Sequence, residues 1–412
     1  MKPEEDLEAA YREVLNRAIN KTERRWCERI YERYQKCRQA TREKNFIFEK
    51  IETSLCQYIL KPNPDKEEEI EKDRSHPIIR QNFDHQQQTF SEKSLETRII
   101  IADLSKLFQC PAAEELISKI EETESSPSMR IPLLSLLLVR RGFFLDFNPR
   151  DQAGIETDQI EINYHFPRKK YWQPKIFIIN LHSQKHLKIT EKLEKDSIGH
   201  SQLILNLKEG AKIDYFLSAN HATTSSNICF FQDQASTFRA YRRLIQSGSF
   251  SSSGQLSGKG AKISLKTLTN INRSGRIILN DTVTQSRPKT ISKQKTRNIL
   301  DDQGEIEQIS TVLLTQSSRD SSSNQEIKNL MMSPKAKAVT YPNMRVISQE
   351  AKSNHGVTTA PISEDQLNFL LARGIPKRKA VLILKKAFAH GIFNTYIPHR
   401  KRENFDILKY VD

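Results

Sequence analysis

The chain has 412 residues, of which 37% are apolar, and carries a net charge of +15. This length allows two or three domains. The apolar share lies below the ~45–50% usual for globular proteins, which favours an elongated or repeat-built protein with a large surface. The basic residues are scattered and not interleaved with aromatic residues, so we expect no nucleic-acid partner. A basic surface suits an acidic protein equally well.

The five cysteines show neither a C-x-x-C pair nor metal-ligand spacing, which predicts reduced structural thiols in a cytosolic protein. The acidic N-terminus resembles neither a signal peptide nor a transit peptide. The most hydrophobic run, Ile131–Val139, is too short to span a membrane and contains Pro132. We therefore expect a cytoplasmic protein that has no membrane partner.

Residues 1–128 are predicted to form an N-terminal helical domain. Glu4–Gln39 is rich in charged residues and repeats apolar residues at helical spacing. Ile99–Phe108 and Ala112–Ile120 are predicted to be further short helices.

Residues 129–360 change to short β-branched and aromatic runs that are separated by turn residues. The predicted strands are Lys175–Asn180, Leu203–Leu207, Lys212–Leu217, Lys262–Thr267, Arg276–Leu279 and Ser310–Leu314. The serine-rich stretches Ser247–Ser253 and Ser317–Ser323 are expected to be turns or loops. No helix-length pattern separates the strands, which argues against a βαβ fold.

An internal repeat refines the fold class. Gly210-Ala211-Lys212-Ile213 recurs as Gly260-Ala261-Lys262-Ile263, and Gln234-Ala235-Ser236-Thr237 lies between them, so that alanines stand at 211, 235 and 261. A repeat of this length is typical of a coil-by-coil solenoid. We predict a mainly β protein with a central right-handed parallel β-helix, flanked by helical domains at both ends. A β-sandwich is the alternative.

Residues 361–412 are predicted to form a C-terminal helical domain. Ser363 and Gln366 form a capping box, and Gly374 is suited to end the first helix. Pro376 is suited to start a second helix, which Gly391 is expected to stop. From Arg373 onward, ten Lys and Arg oppose three Asp and Glu, so an acidic partner would fit this part of the chain.

No catalytic constellation emerges from the sequence. Gly254, Gly258 and Gly260 lack the Gly-Lys-Ser/Thr end of a P-loop and are interpreted as turn glycines. His182 and His186 are expected to be a surface pair. His355, which precedes Gly356, is a candidate metal ligand or proton carrier, although a histidine in such a turn is more often structural.

The segment from Asn329 to Ile375 resembles the SufB/SufD family of iron–sulfur cluster assembly proteins, and most closely its SufD branch. The matching motifs are Asn329-Leu330-Met331-Met332-Ser333, Arg345–Ala351, Ser353-Asn354-His355-Gly356-Val357-Thr358, Ser363-Glu364-Asp365 and Arg373-Gly374-Ile375. Family members commonly carry a cysteine at the position of Ser353. No cysteine follows Cys229, so a thiolate ligand from the C-terminal half is excluded.

The resemblance implies a non-catalytic scaffold subunit of a SufBCD-type complex. Its partners would be a SufB-like β-helix subunit and a SufC-like ABC-type ATPase, and a homodimer is allowed when the partner is absent. His355 would lie at the subunit interface, where a transient iron–sulfur cluster forms, and no cofactor would be bound stably. The ATPase-docking residues would be Leu367, Leu370, Leu371, Arg373, Gly374, Ile375, Ile383, Leu384, Ala387 and Phe388. Two other classes stay open, a β-helix carbohydrate-active enzyme and a basic nucleic-acid-binding protein.

Overall fold

The computed structural model describes residues 3–17, 21–40, 78–83, 86–89, 99–103, 119, 133–134, 137, 141–147, 157–164, 175–193, 198–220 and 223–393. The helices are α1 (Pro3–Arg17), α2 (Lys21–Ala40), α3 (Glu364–Leu371) and α4 (Lys377–Phe393). The first strands are β1 (Ile78–Phe83), β2 (Gln86–Thr89), β3 (Ile99–Asp103), β4 (Arg141–Phe147), β5 (Thr157–Tyr164), β6 (Lys175–Leu181), β7 (His186–Leu193), β8 (Ile198–Leu207) and β9 (Lys212–Asn220). The later strands are β10 (Thr223–Gln232), β11 (Thr237–Ile245), β12 (Gly248–Leu256), β13 (Lys262–Ile271), β14 (Arg276–Gln285), β15 (Ile291–Leu300), β16 (Glu305–Leu314), β17 (Ser322–Met331), β18 (Lys337–Val346) and β19 (Lys352–Pro361).

From β4 onward, successive strands alternate between two sheets, and each strand pairs in parallel with the strand two places later. Sheet A runs β19-β17-β15-β13-β11-β9-β7-β5 and then β1 and β2, whereas sheet B runs β18-β16-β14-β12-β10-β8-β6-β4 and then β3. The predicted parallel β-helix is therefore confirmed. All six predicted strands lie within β6, β8, β9, β13, β14 and β16.

The strand register corrects the proposed repeat by one residue. Lys212 pairs with Thr237, and Thr237 pairs with Lys262, so Ser236 and not Ala235 stands in the column of Ala211 and Ala261. Ala235 instead shares the left-handed backbone of Gly210 and Gly260, with φ of 52°. The small residues of the Ala211 column are fully buried at the corner of each coil, where little space is left for a side chain.

Three local predictions were wrong. Ile99–Phe108 was expected to be helical, but Ile99–Asp103 is strand β3, because three consecutive isoleucines favour an extended backbone. Ser247–Ser253 was expected to be a turn, but most of it lies in β12. Gly391 does not stop α4, which continues to Phe393.

Gly254 in β12 shows why a serine-rich segment can be a strand here. A Cβ on Gly254 would lie 1.7 Å from the Phe230 ring of the neighbouring coil, so only glycine leaves room for that buried ring. The inward Phe250 joins the same apolar core. Burial, which a serine-rich sequence does not reveal, therefore determines this strand.

The interior of the central coils is mainly apolar but contains one fully buried ion pair. Arg242 of β11 donates to both carboxylate oxygens of Asp281 on β14, with N–O distances of 2.8 and 2.5 Å. Both side chains are at most 3% exposed. Thr267 accepts a hydrogen bond from Arg242, and Ser252 donates a hydrogen bond to Asp281. This network ties the two sheets together across the core.

Candidate functional site

The β-helix ends in a coil that no further coil covers. β18 pairs only with β16 and β19 only with β17, so each presents a free strand edge among the described residues. All ten residues of β19 are exposed, including those whose side chains face the interior of the β-helix. Val357 on β19 and Tyr341 on β18 are 38% and 54% exposed. Such an edge is a template for pairing with another chain.

His355 stands at the end of an interior column whose character changes along the axis. From the N-terminal to the C-terminal coil, the residues in register are Ile189, Tyr215, Ala240, Leu265, Gln294, Gln325 and His355. The column is thus mainly apolar up to β13 and polar in the last three coils. Ser353 lies two residues before His355 and therefore on the same face of β19.

The last coils are also linked by an interior chain of hydrogen bonds. Thr269 donates to Asn298 at 2.9 Å, Asn298 donates to Asn329 at 2.8 Å, and Asn329 donates to Thr359 at 2.9 Å. These residues occupy one register position on β13, β15, β17 and β19. The sheet A side of the open end therefore presents a mainly polar cross-section, in which His355 and Thr359 face inward with Val357 between them.

Beyond β19, the Ser363 half of the predicted capping box and the predicted end of α3 at Gly374 are confirmed. The Ser363 hydroxyl accepts a hydrogen bond from the Gln366 backbone N–H at 3.3 Å, and Gly374 has a left-handed φ of 76°. The Arg373 guanidinium lies 3.4 Å from the centroid of the Phe369 ring. The turn between α3 and α4 is closed by hydrogen bonds from the Gly374 and Ile375 N–H groups to the Leu371 and Leu370 carbonyls, and Phe369 stays 56% exposed.

Helix α4 packs against the outer face of sheet A. Its buried Ala389 and Ile392 contact a cluster formed by Tyr241, Leu268, Ile299 and Leu330. The Lys385 ammonium lies 2.9 Å from an Asp301 carboxylate oxygen. Arg297 lies 5.7 Å from the centroid of the Phe388 ring. One side of α4 is thus committed to the solenoid.

The structure divides the residues expected to dock a partner. Phe388 faces the solenoid, as just described. Leu371, Arg373, Gly374, Ile383 and Ala387 are exposed, whereas Leu367, Leu370, Ile375 and Leu384 are half-buried. Sequence analysis missed Phe369, which breaks the spacing of the apolar stripe but lies on the exposed surface of α3. None of the residues of α3 is buried, and the exposed ones, such as Asn368 and Phe369, are available for contact.

Among the residues that the structure describes, the other histidines do not assemble into a metal centre. His186 Nε2 lies 2.9 Å from Asp214, whereas His182 Nε2 lies 3.3 Å from the side-chain nitrogen of Asn180. Within the described ranges, no group of three or more His, Cys, Asp or Glu could hold a metal ion. In the same part of the chain, no helix is both long and apolar enough to cross a membrane.

Comparison with known proteins gives a consistent family. The model of the SufBD core domain of the SUF iron–sulfur cluster assembly system matches residues 168–388, more than half of the chain. The iron–sulfur cluster assembly SufBD family protein slr0076 of Synechocystis is 26% identical over 113 residues, which are 27% of this chain and 25% of that protein. The chloroplastic SufBD family protein ABCI8 of Arabidopsis thaliana is 35% identical over 66 residues, 16% of this chain and 12% of that protein. The SufBD family protein ycf24 of Guillardia theta is 30% identical over 70 residues, 17% of this chain and 14% of that protein. The chain thus spans about a quarter or less of the length of these relatives.

Proposed function

The chain belongs to the SufBD core family, and from this premise we propose that it is a non-catalytic scaffold subunit of a SufBCD-type complex for iron–sulfur cluster assembly. The observation that carries the proposal is the uncovered last coil, which exposes all of β19 and with it His355. A cytoplasmic location, as expected from the sequence, is part of the same proposal.

A SufB-like β-helix subunit would pair with the free edge of β19. A ten-residue strand offers backbone N–H and C=O groups along one side, and main-chain hydrogen bonds to an added strand supply affinity. The exposed Val357 adds apolar contact area at the same edge. Pro342 fits this arrangement, because a proline within a β-sheet is tolerated on an edge strand such as β18.

The nascent iron–sulfur cluster is the cargo of such a complex. At the β19 edge, His355 would offer an imidazole to it, either as a ligand through a neutral ring nitrogen or as a proton carrier. Ser353 stands where family members commonly carry a cysteine, so any thiolate would come from the partner subunit.

A SufC-like ABC-type ATPase would dock on the exposed surface of α3 and on the side of α4 that faces away from the solenoid. Leu371 and Ile383 are each 37% exposed and Phe369 is 56% exposed, so these three side chains offer apolar contact area to a docked partner. Since the opposite side of α4 is anchored to sheet A, a movement of the docked ATPase would be transmitted to the β-helix.

The geometry of the carboxylates disfavours the carbohydrate-active alternative. Glycosidases need two carboxyl groups free to act on one substrate bond. The residue in register with Asp214 on the next coil is Arg239, and Ser264 follows one coil later. Both Asp214 oxygens bind Arg239, at 2.6 and 3.1 Å, which leaves this carboxylate occupied.

The proposal is tested by purifying the native protein and identifying the chains that come with it. We expect a second β-helix protein of the same family and an ABC-type ATPase. The double variant Leu371→Ser/Ile383→Ser should lose the ATPase and keep the β-helix partner, whereas Asn368→Ser, an equally exposed change on α3, should keep both. Co-purification of neither protein with the wild type would overturn the scaffold function.

The role of His355 is tested in the assembled complex. His355→Ala should abolish iron–sulfur cluster maturation and leave the complex intact, because the side chain is exposed in the last coil. Asn354→Ala, the outward-facing neighbour on β19, is the matched control and should retain maturation. Normal activity of iron–sulfur enzymes in cells that carry His355→Ala would rule out the His355 role.

A further inference from the structure

Charge is divided unequally between the outer faces of the two sheets. Along the sheet A strands from β7 to β19, lysine or arginine occupies twelve outward positions, and aspartate or glutamate occupies two. Along the sheet B strands from β6 to β18, three outward positions are basic and two are acidic. The excess positive charge of the solenoid is therefore concentrated on one face.

The two acidic residues on this face are already engaged. Asp214 is held by Arg239, at 2.6 Å, and by His186, at 2.9 Å. Glu326 accepts from Arg297 at 2.5 Å and also lies within 3.7 Å of Lys295 and 3.4 Å of Lys328. They offset the charge of their immediate neighbours, and neither forms an ion pair with Lys212, Lys262 or Lys293.

Three of these lysines lie together on the side of the face that α4 does not cover. Lys212, Lys262 and Lys293 are exposed and form no ion pair with a described residue. Lys212 and Lys262 lie on either side of Thr237 in the strand register, so their strands are about 10 Å apart. Lys293 lies on the strand after that of Lys262, diagonally across from it. These separations are close to the Debye length of about 8 Å at physiological salt, so their fields add.

The neighbouring Lys266 reflects this crowding. Burial, followed by repulsion from Lys295 and Lys293, lowers the pKa of its ammonium group. An anionic partner placed over the face would relieve the repulsion and would therefore be favoured by it.

The side chains on this face suit carboxylates better than nucleic acid. The arginines, whose planar groups grip phosphates in two-point contacts, are occupied: Arg239 by Asp214, Arg297 by Glu326, and Arg243 by the Ser218 hydroxyl at 2.6 Å. Tyr241 is buried and stacked on Phe216, with ring centroids 5.1 Å apart, so it cannot stack on a base. The exposed cations are lysines, which act as point charges.

We propose that the outer face of sheet A around Lys212, Lys262 and Lys293 is a docking surface for an acidic protein segment. This surface is separate from the β19 edge and from the exposed part of α3, and the proposal does not depend on the proposed function. Its partner is identified by chemistry alone, as a stretch of chain rich in aspartate and glutamate.

The test measures binding of fluorescently labelled poly-glutamate to the full-length protein. Lys212→Gln/Lys262→Gln/Lys293→Gln should weaken binding roughly tenfold. As the salt concentration rises, the affinity of the wild type for poly-glutamate should fall toward that of this variant. The matched control is Lys259→Gln/Lys289→Gln/Lys335→Gln, which removes three exposed lysines outside the strands of this face. The control should weaken binding less than about threefold.

Two outcomes would overturn the proposal. Equal weakening by both triple variants would mean that poly-glutamate responds only to net charge. The wild type could also bind a poly-uridylate RNA more tightly than poly-glutamate. If the Lys212/Lys262/Lys293 variant loses that RNA binding, the face is assigned to nucleic acid instead.

Discussion

At the scale of single residues, the molecule depends on polar groups that are completely buried. The Arg242–Asp281 pair and His200 are both buried, and each is held by partners on neighbouring coils. Nothing in the sequence around Arg242 distinguishes it from the surface arginines, because its burial depends on the position of β14, almost forty residues later. This part of the core could not have been predicted from local pattern.

The buried ion pair gives a prediction on stability. Arg242→Met should lower the free energy of unfolding by about 3–5 kcal/mol, because it leaves the Asp281 carboxylate buried without its cation. Arg242→Met/Asp281→Leu should recover most of that loss, since no charge then remains in the core. Urea unfolding of the wild type and the two variants measures both effects. If the double variant is no more stable than Arg242→Met, lost packing and not an unpaired charge is the cause.

His200 gives a prediction on pH. Burial lowers the pKa of its imidazole to about 3, and its Nδ1 lies 3.0 Å from the Ser225 hydroxyl. The unfolded chain binds a proton near pH 6.5 and the folded chain does not, so the stability from His200 is complete above pH 6.5 and is lost progressively between pH 6.5 and about 3. Between neutral pH and pH 5 this amounts to about 2 kcal/mol.

His200→Gln should remove that part of the pH dependence. The difference between the unfolding free energies at pH 7.5 and pH 5 should be smaller in the variant than in the wild type. Gln202→Asn, which changes a buried residue of the same strand that does not titrate, is the control and should leave the pH profile unchanged.

At the scale of elements, local pattern was sufficient where an element is defined by its own residues. The caps at Ser363 and Gly374 and the β-branched strands lie where the sequence predicts them. The prediction failed for β12, whose serines are strand residues only because the neighbouring coil buries Phe250. The basic face was missed for a similar reason, since Lys212 and Lys262 lie fifty residues apart and come together only through the coil register.

The attachment of α4 gives a prediction at this scale. Lys385→Glu should loosen α4 from sheet A, because it places two carboxylates at the position of the Lys385–Asp301 contact. We expect faster hydrogen exchange at the α4 amides while exchange in β13 and β15 stays slow. Lys386→Glu, on the same helix but with no ion pair to a described residue, is the control. Equal exchange rates in the two variants would show that apolar packing alone holds α4.

The Lys385–Asp301 contact also limits which variants can test ATPase docking. A combined charge reversal at Lys385 and Lys386 would not test docking alone, because Lys385 holds α4 in place. Loss of the ATPase in such a variant would therefore have two causes. The exposed Leu371 and Ile383 separate docking from the attachment of the helix.

At the scale of the whole molecule, the uncovered coil predicts self-association when no other subunit is present. A second copy can align its own β19 edge with the first, so we expect a concentration-dependent dimer in sedimentation experiments. Val357→Lys should shift the protein toward monomer, because a charge on an edge strand opposes pairing. Thr282→Lys adds the same charge to the middle of sheet B and should leave the dimer intact.

A monomer at all concentrations for the wild type would contradict this prediction. A dimer that survives Val357→Lys would place the contact elsewhere on the surface.

The polar cross-section at the open end has a thermodynamic consequence for any assembly built on it. Burial of apolar surface lowers the heat capacity, whereas burial of polar surface raises it. The last coils present Gln325, Thr359 and His355 where earlier coils carry leucine and isoleucine. Closure of this end should therefore give a smaller heat-capacity change per unit area than an apolar seam would. The sheet A side of the free subunit can accordingly face water with little loss of free energy, and a partner that covers it can leave again.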